Sequence, residues 1–462
     1  MMGKRFNLNG AKSVHFIGIG GISMSGFAEI LMNAGFSISG SDDRATPITD
    51  RLENLGIPIS IPTAAKNISD GIDMVVYTAA IKPDNSEFRA ASEKGIPLVE
   101  RAAFIGMILP AYENAVCIAG THGKTSTTSM VAEICMAAAL DPTISIGGHM
   151  NRGGMNYRIG NSSCFVLEAC EYSNSFHHWH PQIGVILNME LDHLDFFKDI
   201  TDITQSFRKF AKNIRPSGTL VIANDFAEFE TIIHDLHCEV ITFGMENARF
   251  HPRNISYKNG NPSFDVMDGE NYLAHVDLPM PGQYNMLNAL ASFAVACALG
   301  ISPKKTADAL NHVKGIKRRY EHKGVWKGID IIDDYAHHPT EIRSCLAAAK
   351  SAREGTQGRV ICIFQPHTYT RTKTLFDDFA KSFTHADKII LVPIFAAREP
   401  LDPSITSNML AEAIDKHGKE AIGVDTFEEA EEIARRELQA GDLLITMGAG
   451  DAYKIGEALL SM

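Results

Sequence analysis

The chain has 462 residues, too long for one compact core, so two or three domains are expected. Its 55 acidic residues against 43 basic ones leave a formal charge of -12, which argues against broad nucleic-acid binding because no basic excess exists to release counterions. The eight scattered cysteines form no Cys-x-x-Cys pair, and the longest apolar stretch, 287–301, is shorter than the ~20 residues of a membrane span.

Reduced, buried thiols in a cytoplasmic protein are therefore expected, not a disulfide framework, a zinc ribbon or a membrane span. The first twelve residues lack the apolar centre of a signal peptide. The first α/β unit is expected over 1–113. An apolar run over 13–17 reads as a strand, Gly18, Gly20 and Gly21 follow, and helical periodicity covers 25–34. A second strand over 37–40 leads to Ser41 and Asp42, and a third over 74–78 ends in Thr78. Such alternation predicts a parallel, doubly wound sheet, whose ligands sit beyond the carboxyl ends of its strands. Gly18, Gly20, Gly21, Ser41, Asp42 and Thr78 lie at those ends and are candidate substrate-binding residues. The glycine turn is similar to a dinucleotide fingerprint, but Ser23 stands where the third glycine belongs. Alone it fits a nicotinamide site, a phosphate or diphosphate cradle, or a tight turn without ligand.

The second unit is expected over 114–314. An apolar run over 115–119 leads into Gly120-Thr121-His122-Gly123-Lys124-Thr125-Ser126, and a helix is predicted over 126–139. In a strand–glycine loop–helix, amide N–H groups close on phosphate oxygens and the helix N-terminus adds partial positive charge. Lys124 can neutralise outer phosphates, and the Thr125 hydroxyl can reach a magnesium ion. The usual phosphate loop has its first glycine at the position of Ile118; here it is Gly120. The competing reading is a corner that merely carries these residues. Glu168 ends a strand predicted over 165–168 and can hold magnesium. A strand over 183–188 runs into a polar cluster in which Asp192, His193 and Asp195 can support a second metal or position substrate. For any one of those acids, a helix N-cap is the alternative. His177, His178 and His180 have no Cys or acidic partner at ligand spacing and, beside Trp179 and Pro181, read as an ordinary surface loop. Strands over 219–223 and 240–243, antiparallel strands across 250–276 and a helix over 285–299 complete the unit.

The third unit is expected over 315–462, with strands at 329–333, 360–364, 388–393 and 443–447 and a helix over 426–438. Lys317, Arg318 and Arg319 at its start read either as a solvated linker or as a cationic element of a site. Residues 333–341 end a strand and open a helix at Pro339.

Together these pieces resemble the Mur ligase family over essentially the whole chain. The resemblance rests on Gly120 to Thr125, Asn188 to Asp195, Asn285-Met286-Leu287-Asn288-Ala289, Arg319-Tyr320-Glu321 and Asp334-Tyr335-Ala336-His337. It implies an α/β fold of three domains, each on a mostly parallel sheet: Rossmann-like, phosphate-loop ATPase-like, and Rossmann-like again. Within the family, segments 15–26, 333–341, 364–372 and 447–451 are most similar to the members that join L-alanine to UDP-N-acetylmuramate in peptidoglycan precursor synthesis. The resemblance implies ATP and Mg2+ as cofactors, UDP-N-acetylmuramate and L-alanine as substrates, and an acyl-phosphate intermediate. It puts Gly120, Thr121, His122, Gly123, Lys124, Thr125 and Ser126 around ATP, Thr125 and Glu168 on one magnesium, and His193 on a second. Asn285 and Asn288 would lie near the adenine, Arg319 near the phosphates and Asp334 on the ribose, with Lys124, His193 and Arg319 serving catalysis. The Gly18 turn would hold the UDP diphosphate, and His337 or His338 would orient or deprotonate the alanine amine. Many relatives have aspartate where this chain has Cys170, in Glu168-Ala169-Cys170-Glu171. Two other readings are a recycling ligase of the same family that takes a preformed tripeptide, and a nicotinamide oxidoreductase, which leaves Lys124, Thr125 and Glu168 without work. A non-enzymatic nucleotide sensor would keep the loops without the chemistry. Lys124→Ala is expected to remove turnover with little loss of fold, because a loop lysine is not a core group.

Overall fold

The computed structural model describes residues 6–151, 156–193 and 196–462. Asp195, one of the candidate metal ligands, lies outside the described residues. Internal contacts divide the chain into two compact units, one of residues up to 149, 156–243 and 291–305, the other of 150–151, 244–290 and 306–462.

In the first unit, five parallel strands lie in the order Ile59–Ser60, Ser37–Ser41, Ser13–Ile17, Met74–Tyr77 and Leu98–Glu100. The order reverses between Ser13–Ile17 and Met74–Tyr77, which makes the end of that pair the switch point where such sheets bind ligands. Val14, Phe16, Val75 and Val76 are fully buried, as a parallel sheet covered on both faces requires. The helix Ile22–Asn33 starts three residues before the predicted one. Its first turn faces solvent, with Ile22 42% exposed, so the apolar period begins only at Met24.

A second sheet of the same unit has the strand order Glu239–Phe243, Thr219–Ala223, Ile183–Ile186, Asn114–Ala119, Cys164–Glu168, Thr143–Ser145 and Tyr157–Arg158. These neighbours pair in parallel except the last two. Several polar contacts fasten the two sheet assemblies. The Tyr157 hydroxyl donates to Glu29 at 2.8 Å, and Arg51 pairs with the same carboxylate at 2.5 Å. Arg215 donates to four backbone carbonyls: His180 (3.1 Å), Glu113 (3.2 Å), Tyr112 (3.2 Å) and Leu109 (3.4 Å).

The segment around His177, expected as a surface loop, does leave His178 and His180 exposed, but its aromatic residues are packed. Phe176 is fully buried and stacks on Phe210 with centroids 4.9 Å apart. Trp179 is 3% exposed, and its indole N–H donates to the Ala102 carbonyl at 3.0 Å. His177 Nε2 bonds the Ser206 carbonyl at 2.9 Å, which gives that imidazole a structural partner. The histidine-rich sequence hid an anchor built from its aromatic neighbours.

In the second unit, the strands Phe250–Lys258, Asn261–Asp268 and Asn271–Asp277 form an antiparallel meander. The Asn259-Gly260 turn has positive φ at both residues (51° and 78°), as a two-residue hairpin turn demands. A six-stranded sheet follows, in the order Glu321–Trp326, Ile329–Asp334, Leu443–Met447, Val360–Phe364, Lys388–Leu391 and Glu420–Gly423, antiparallel only in its first pair. The strand Glu321–Trp326 was not expected, because an edge strand carrying Glu, His and Lys shows no clean alternation. The polypeptide is thus α/β throughout, with mostly parallel sheets. No described helix is long and apolar enough to cross a membrane.

Candidate active site

The strand Asn114–Ala119 delivers the chain to Gly120, and Gly123 caps the helix Lys124–Ala137 in a left-handed conformation (φ 80°). Ile118 cannot be the first loop glycine, because it is still in the strand, fully buried and paired with Val185 and Glu168. Gly120 has φ 142°, and a Cβ there would come within 3.0 Å of Leu187 Cβ and 3.2 Å of its amide nitrogen. The helix starts two residues earlier than expected because Lys124 and Thr125 already have helical backbone. No side chain caps it and no acid stands in its first turn, so its amide dipoles face the loop unopposed.

The loop is braced from the neighbouring strand Ile183–Ile186. The Asn188 carboxamide accepts from the His122 N–H at 2.8 Å and donates to the His122 carbonyl at 3.1 Å. The Thr121 hydroxyl accepts from the Glu190 N–H at 2.9 Å, and Glu190 lies 3.4 Å from His122 Nε2. A loop fixed by side-chain amides presents its N–H groups without flexing, which is what polyphosphate binding requires.

Lys124 is folded into this loop. Its ammonium donates to the carbonyls of Gly120 (2.6 Å) and Thr121 (3.1 Å) and to both oxygens of Glu171 (3.0 and 2.9 Å). Burial works against the charge on Lys124, but Glu171 outweighs it and raises the lysine above its ordinary value. Burial would likewise raise Glu171, but Lys124 and His193 hold its carboxyl below the usual carboxylate range. His193 Nε2 lies 3.5 Å from Glu171 Oε1, and its ring sits 4.9 Å from that of Tyr172. Glu171 thus brings Lys124 and His193 together. Sequence reasoning named it only as a motif member; the available signal was a second acid three residues after Glu168. The buried pairing also overturns the expectation that Lys124 is dispensable for the fold, since its side chain is 13% exposed and its partner 4%.

Glu168, at the end of Cys164–Glu168, accepts from the Gly147 N–H at 2.9 Å through one oxygen. Thr125 and Ser126 are nearly buried in the first helical turn. The Asp192 carboxylate accepts from the His193 N–H at 2.7 Å and so shapes that turn. Of the cysteines, Cys170 is exposed, against the expectation of buried thiols; Cys238 and Cys297 are half-buried and the other five buried. Cys170 lies between Glu168 and Glu171, two residues past the end of Cys164–Glu168.

At the switch point of the first sheet, Gly18 has φ 77°, and the N–H groups of Gly18 and Ile19 donate to the Ser41 carbonyl at 2.9 Å each. The Gly20 N–H donates to Asp42 Oδ2 at 2.9 Å. Ser41 is fully buried and its hydroxyl donates to Glu87 at 2.5 Å, so that side chain supports the turn from inside. Thr78 is half-buried just beyond Met74–Tyr77.

The second unit holds the other candidates. Asp334 ends the strand Ile329–Asp334, accepting from the N–H groups of Ala336 and Tyr320 at 2.7 Å each. Burial pushes its carboxyl up to about 6, against the pull of Arg319 and those two donors. The basic run is not a solvated linker beyond Lys317. Arg318 lies over the rings of Tyr335 (5.1 Å) and Tyr453 (4.6 Å) and pairs with Asp333 at 3.0 Å. Arg319 lies over Tyr335 at 5.2 Å, 3.9 Å from Glu341. Asn285 and Asn288 are nearly buried one turn apart on Gln283–Ala298, with Asn288 donating to Asn285 at 3.3 Å. The adjacent Tyr284 hydroxyl is raised by burial first, and further by Cys345, Asp334 and Tyr320.

The two histidines separate. His338 is 6% exposed and caps the helix Pro339–Ala352, accepting from the Thr340 N–H at 3.4 Å. His337 bonds the Tyr335 carbonyl at 3.0 Å and faces the His367 ring at 5.7 Å. His367 stacks on Phe395 (5.6 Å), and Arg371 donates to its carbonyl at 3.0 Å. Burial, with His337 and Arg371 nearby, pushes the His367 imidazole down to about 4. His367 and Arg371 carried no assigned role in the sequence, although their segment was singled out; their proximity to His337 is a tertiary fact.

The family comparison agrees with this layout. Residues 13–113 match the profile described as Mur ligase family, catalytic domain; 118–296 match the Mur ligase middle domain; and 318–450 match the Mur ligase, glutamate ligase domain. The chain belongs to the Mur ligase family. Among its Mur ligase relatives, a UDP-N-acetylmuramate--L-alanine ligase of Lachnospira eligens is 48% identical over 459 residues, covering 99% of each chain. One of the same description from Acetivibrio thermocellus is 48% identical over 98% of this chain and 96% of its own. The crystal structure of the UDP-N-acetylmuramate-alanine ligase of Thermotoga maritima superposes with a TM-score of 0.78 at 28% identity, covering 97% of this chain and 98% of that one. This Mur ligase shares its three-domain fold with that structure.

Proposed function

We propose that the protein joins L-alanine to the lactyl carboxylate of UDP-N-acetylmuramate, with ATP cleaved to ADP and phosphate, in the cytoplasmic stage of peptidoglycan synthesis. The observation that carries this reading is the braced glycine loop around Lys124, at the uncapped start of Lys124–Ala137, in a chain 48% identical end to end to L-alanine ligases. A nicotinamide oxidoreductase has no use for that loop. The Gly18 turn is read as the diphosphate cradle of the UDP-sugar.

The chemistry explains the inventory. A carboxylate is a poor electrophile, because amine attack would have to expel oxide. Its oxygen attacks the γ-phosphorus instead, ADP leaves, and the resulting acyl phosphate carries a good leaving group. The alanine amine then forms the C–N bond, the C–O bond to phosphate breaks, and the amine loses a proton. Lys124 and Arg319 offset the repulsion between the two anions and stabilise charge on the transferring group. His337 orients the amine or takes its proton, because His338 is committed to capping its helix. Asp334 accepts from the ribose, and Asn285 and Asn288 border the adenine.

The Thr125 hydroxyl and Glu168 carboxylate are oxygen donors and fit one magnesium, a hard cation that prefers oxygen ligands, while the His193 imidazole would serve a second ion as a nitrogen donor. Glu168 keeps one oxygen clear of its Gly147 contact, which suits a ligand. When bound, magnesium would neutralise charge on the phosphates.

Phosphate release across a panel of amino acids and UDP-muramyl acceptors tests the proposal. Release should require both UDP-N-acetylmuramate and L-alanine. A preference for a preformed tripeptide would assign the chain to the recycling ligases, and no alanine-dependent release would refute ligation.

A further inference from the structure

The proposed reaction gives Glu171 nothing to do, yet it is the most deliberately placed acid in the first unit. Its side chain is 4% exposed, both of its oxygens lie within 3.0 Å of Lys124 Nζ, and Oε1 is 3.5 Å from His193 Nε2. An ammonium has three protons. Those of Lys124 already face four protein acceptors: the carbonyls of Gly120 and Thr121 and the two Glu171 oxygens. A phosphate can therefore be met by Lys124 only if one acceptor withdraws. The two carbonyls belong to a loop fixed by Asn188 and Glu190, through the His122 N–H and the Thr121 hydroxyl. The carboxylate hangs on rotatable bonds, and it is also the acceptor that an incoming phosphate repels.

We propose that Glu171 is a positioning residue that occupies the electrostatic place of the nucleotide phosphate. In the nucleotide-free enzyme it neutralises Lys124 and holds it in the loop; when a triphosphate binds, the lysine passes to the phosphate and Glu171 turns to His193. The exchange keeps the buried lysine paired with an anion in both states, and the displaced carboxylate keeps the His193 ring nitrogen 3.5 Å from Oε1 as a hydrogen-bonding neighbour. It also makes nucleotide binding without a divalent cation weak, because the displaced carboxylate still lies beside the phosphates.

This rests on the reading that ATP binds at the Lys124 loop, and the test separates the two. Full-length protein is titrated calorimetrically with ATP in EDTA, without acceptor or amino acid. Glu171→Gln keeps the shape and removes the charge, so it should bind free ATP at least tenfold more tightly than wild type. In a Lys124→Ala background most of that gain should vanish, because the competition is for the lysine. With magnesium, Glu171→Gln should lower kcat without raising the KM for ATP, because it is His193 that loses its anionic neighbour. Wild-type-like or weaker affinity of a folded Glu171→Gln for free ATP overturns the proposal. If wild type and Lys124→Ala bind ATP equally, the underlying reading fails instead. Should Glu171→Gln not fold, Glu171→Asp withdraws the charge by one methylene and should tighten free ATP about threefold; no tightening overturns the proposal equally.

Discussion

Lys124→Ala takes the cation away from a carboxylate that is 4% exposed, leaving a buried charge behind. Removing one partner of a buried pair typically costs about 3–5 kcal/mol. His193 Nε2, 3.5 Å from the same carboxylate, remains as a neighbour able to hydrogen-bond it, so the low end of that range, about 3 kcal/mol, is expected. At about 2–4 °C per kcal/mol for a body of this size, the melting temperature should fall by roughly 6–12 °C. The loss should depend on pH with a definite sign. In wild type, Lys124 and His193 hold Glu171 below the usual carboxylate range, so its contribution is present above that range and fades as pH falls through the folded value. In Lys124→Ala, burial acts with the ammonium gone and raises the folded pKa above the unfolded one. The variant already lacks the wild-type gain at pH 5, and its deficit should grow further toward pH 8. Adding Glu171→Gln should restore most of the stability, since a neutral amide needs no counter-ion, while turnover stays absent in both. Thermal melts followed by circular dichroism at the two pH values provide the check. A Lys124→Ala melt within about 2 °C of wild type at pH 8, or the same deficit at both pH values, would refute the buried-pair argument.

Gly147→Ala would place a Cβ 3.0 Å from both oxygens of Glu168, so that carboxylate must shift; the magnesium concentration for half-maximal phosphate release should rise several-fold with the melting temperature little changed. Arg215→Lys replaces a planar fork with a point charge that cannot serve four carbonyls, and should lower stability by about 2 kcal/mol in a denaturant titration. With its carboxyl at about 6, Asp334 keeps in the folded state a proton that the unfolded chain releases near 3.8, so its contribution to stability is present below that range and lost as pH rises past about 6. ADP affinity, measured by calorimetry, should weaken as pH falls from 7 to 5 because the protonated acid is a poorer acceptor for the ribose. Asp334→Asn should remove that pH step and cost about 1–3 kcal/mol of stability, since its NH2 must face one of the two backbone N–H donors.

Much of the architecture was legible in the residues. Buried parallel strands are short apolar runs, so 219–223, 360–364 and 443–447 emerge with the bounds of Thr219–Ala223, Val360–Phe364 and Leu443–Met447. The phosphate loop was equally plain, because glycines, Lys and Thr must stand in a fixed local order for a backbone to wrap an anion. The edge strand Glu321–Trp326 was not, because one exposed side lets charged residues break the alternation.

What the chain alone determined, then, was which segments form strands and which loops can carry phosphate chemistry, since both follow from interactions a few residues long. Tertiary structure decided the partners. That Glu171 neutralises Lys124 across 47 positions, that Ser41 turns inward to Glu87 across 46, and that His337 meets His367 all depend on strands meeting side by side. Distant residues become neighbours only through sheet order, and the charge each buried group carries is set by those neighbours and not by its place in the sequence.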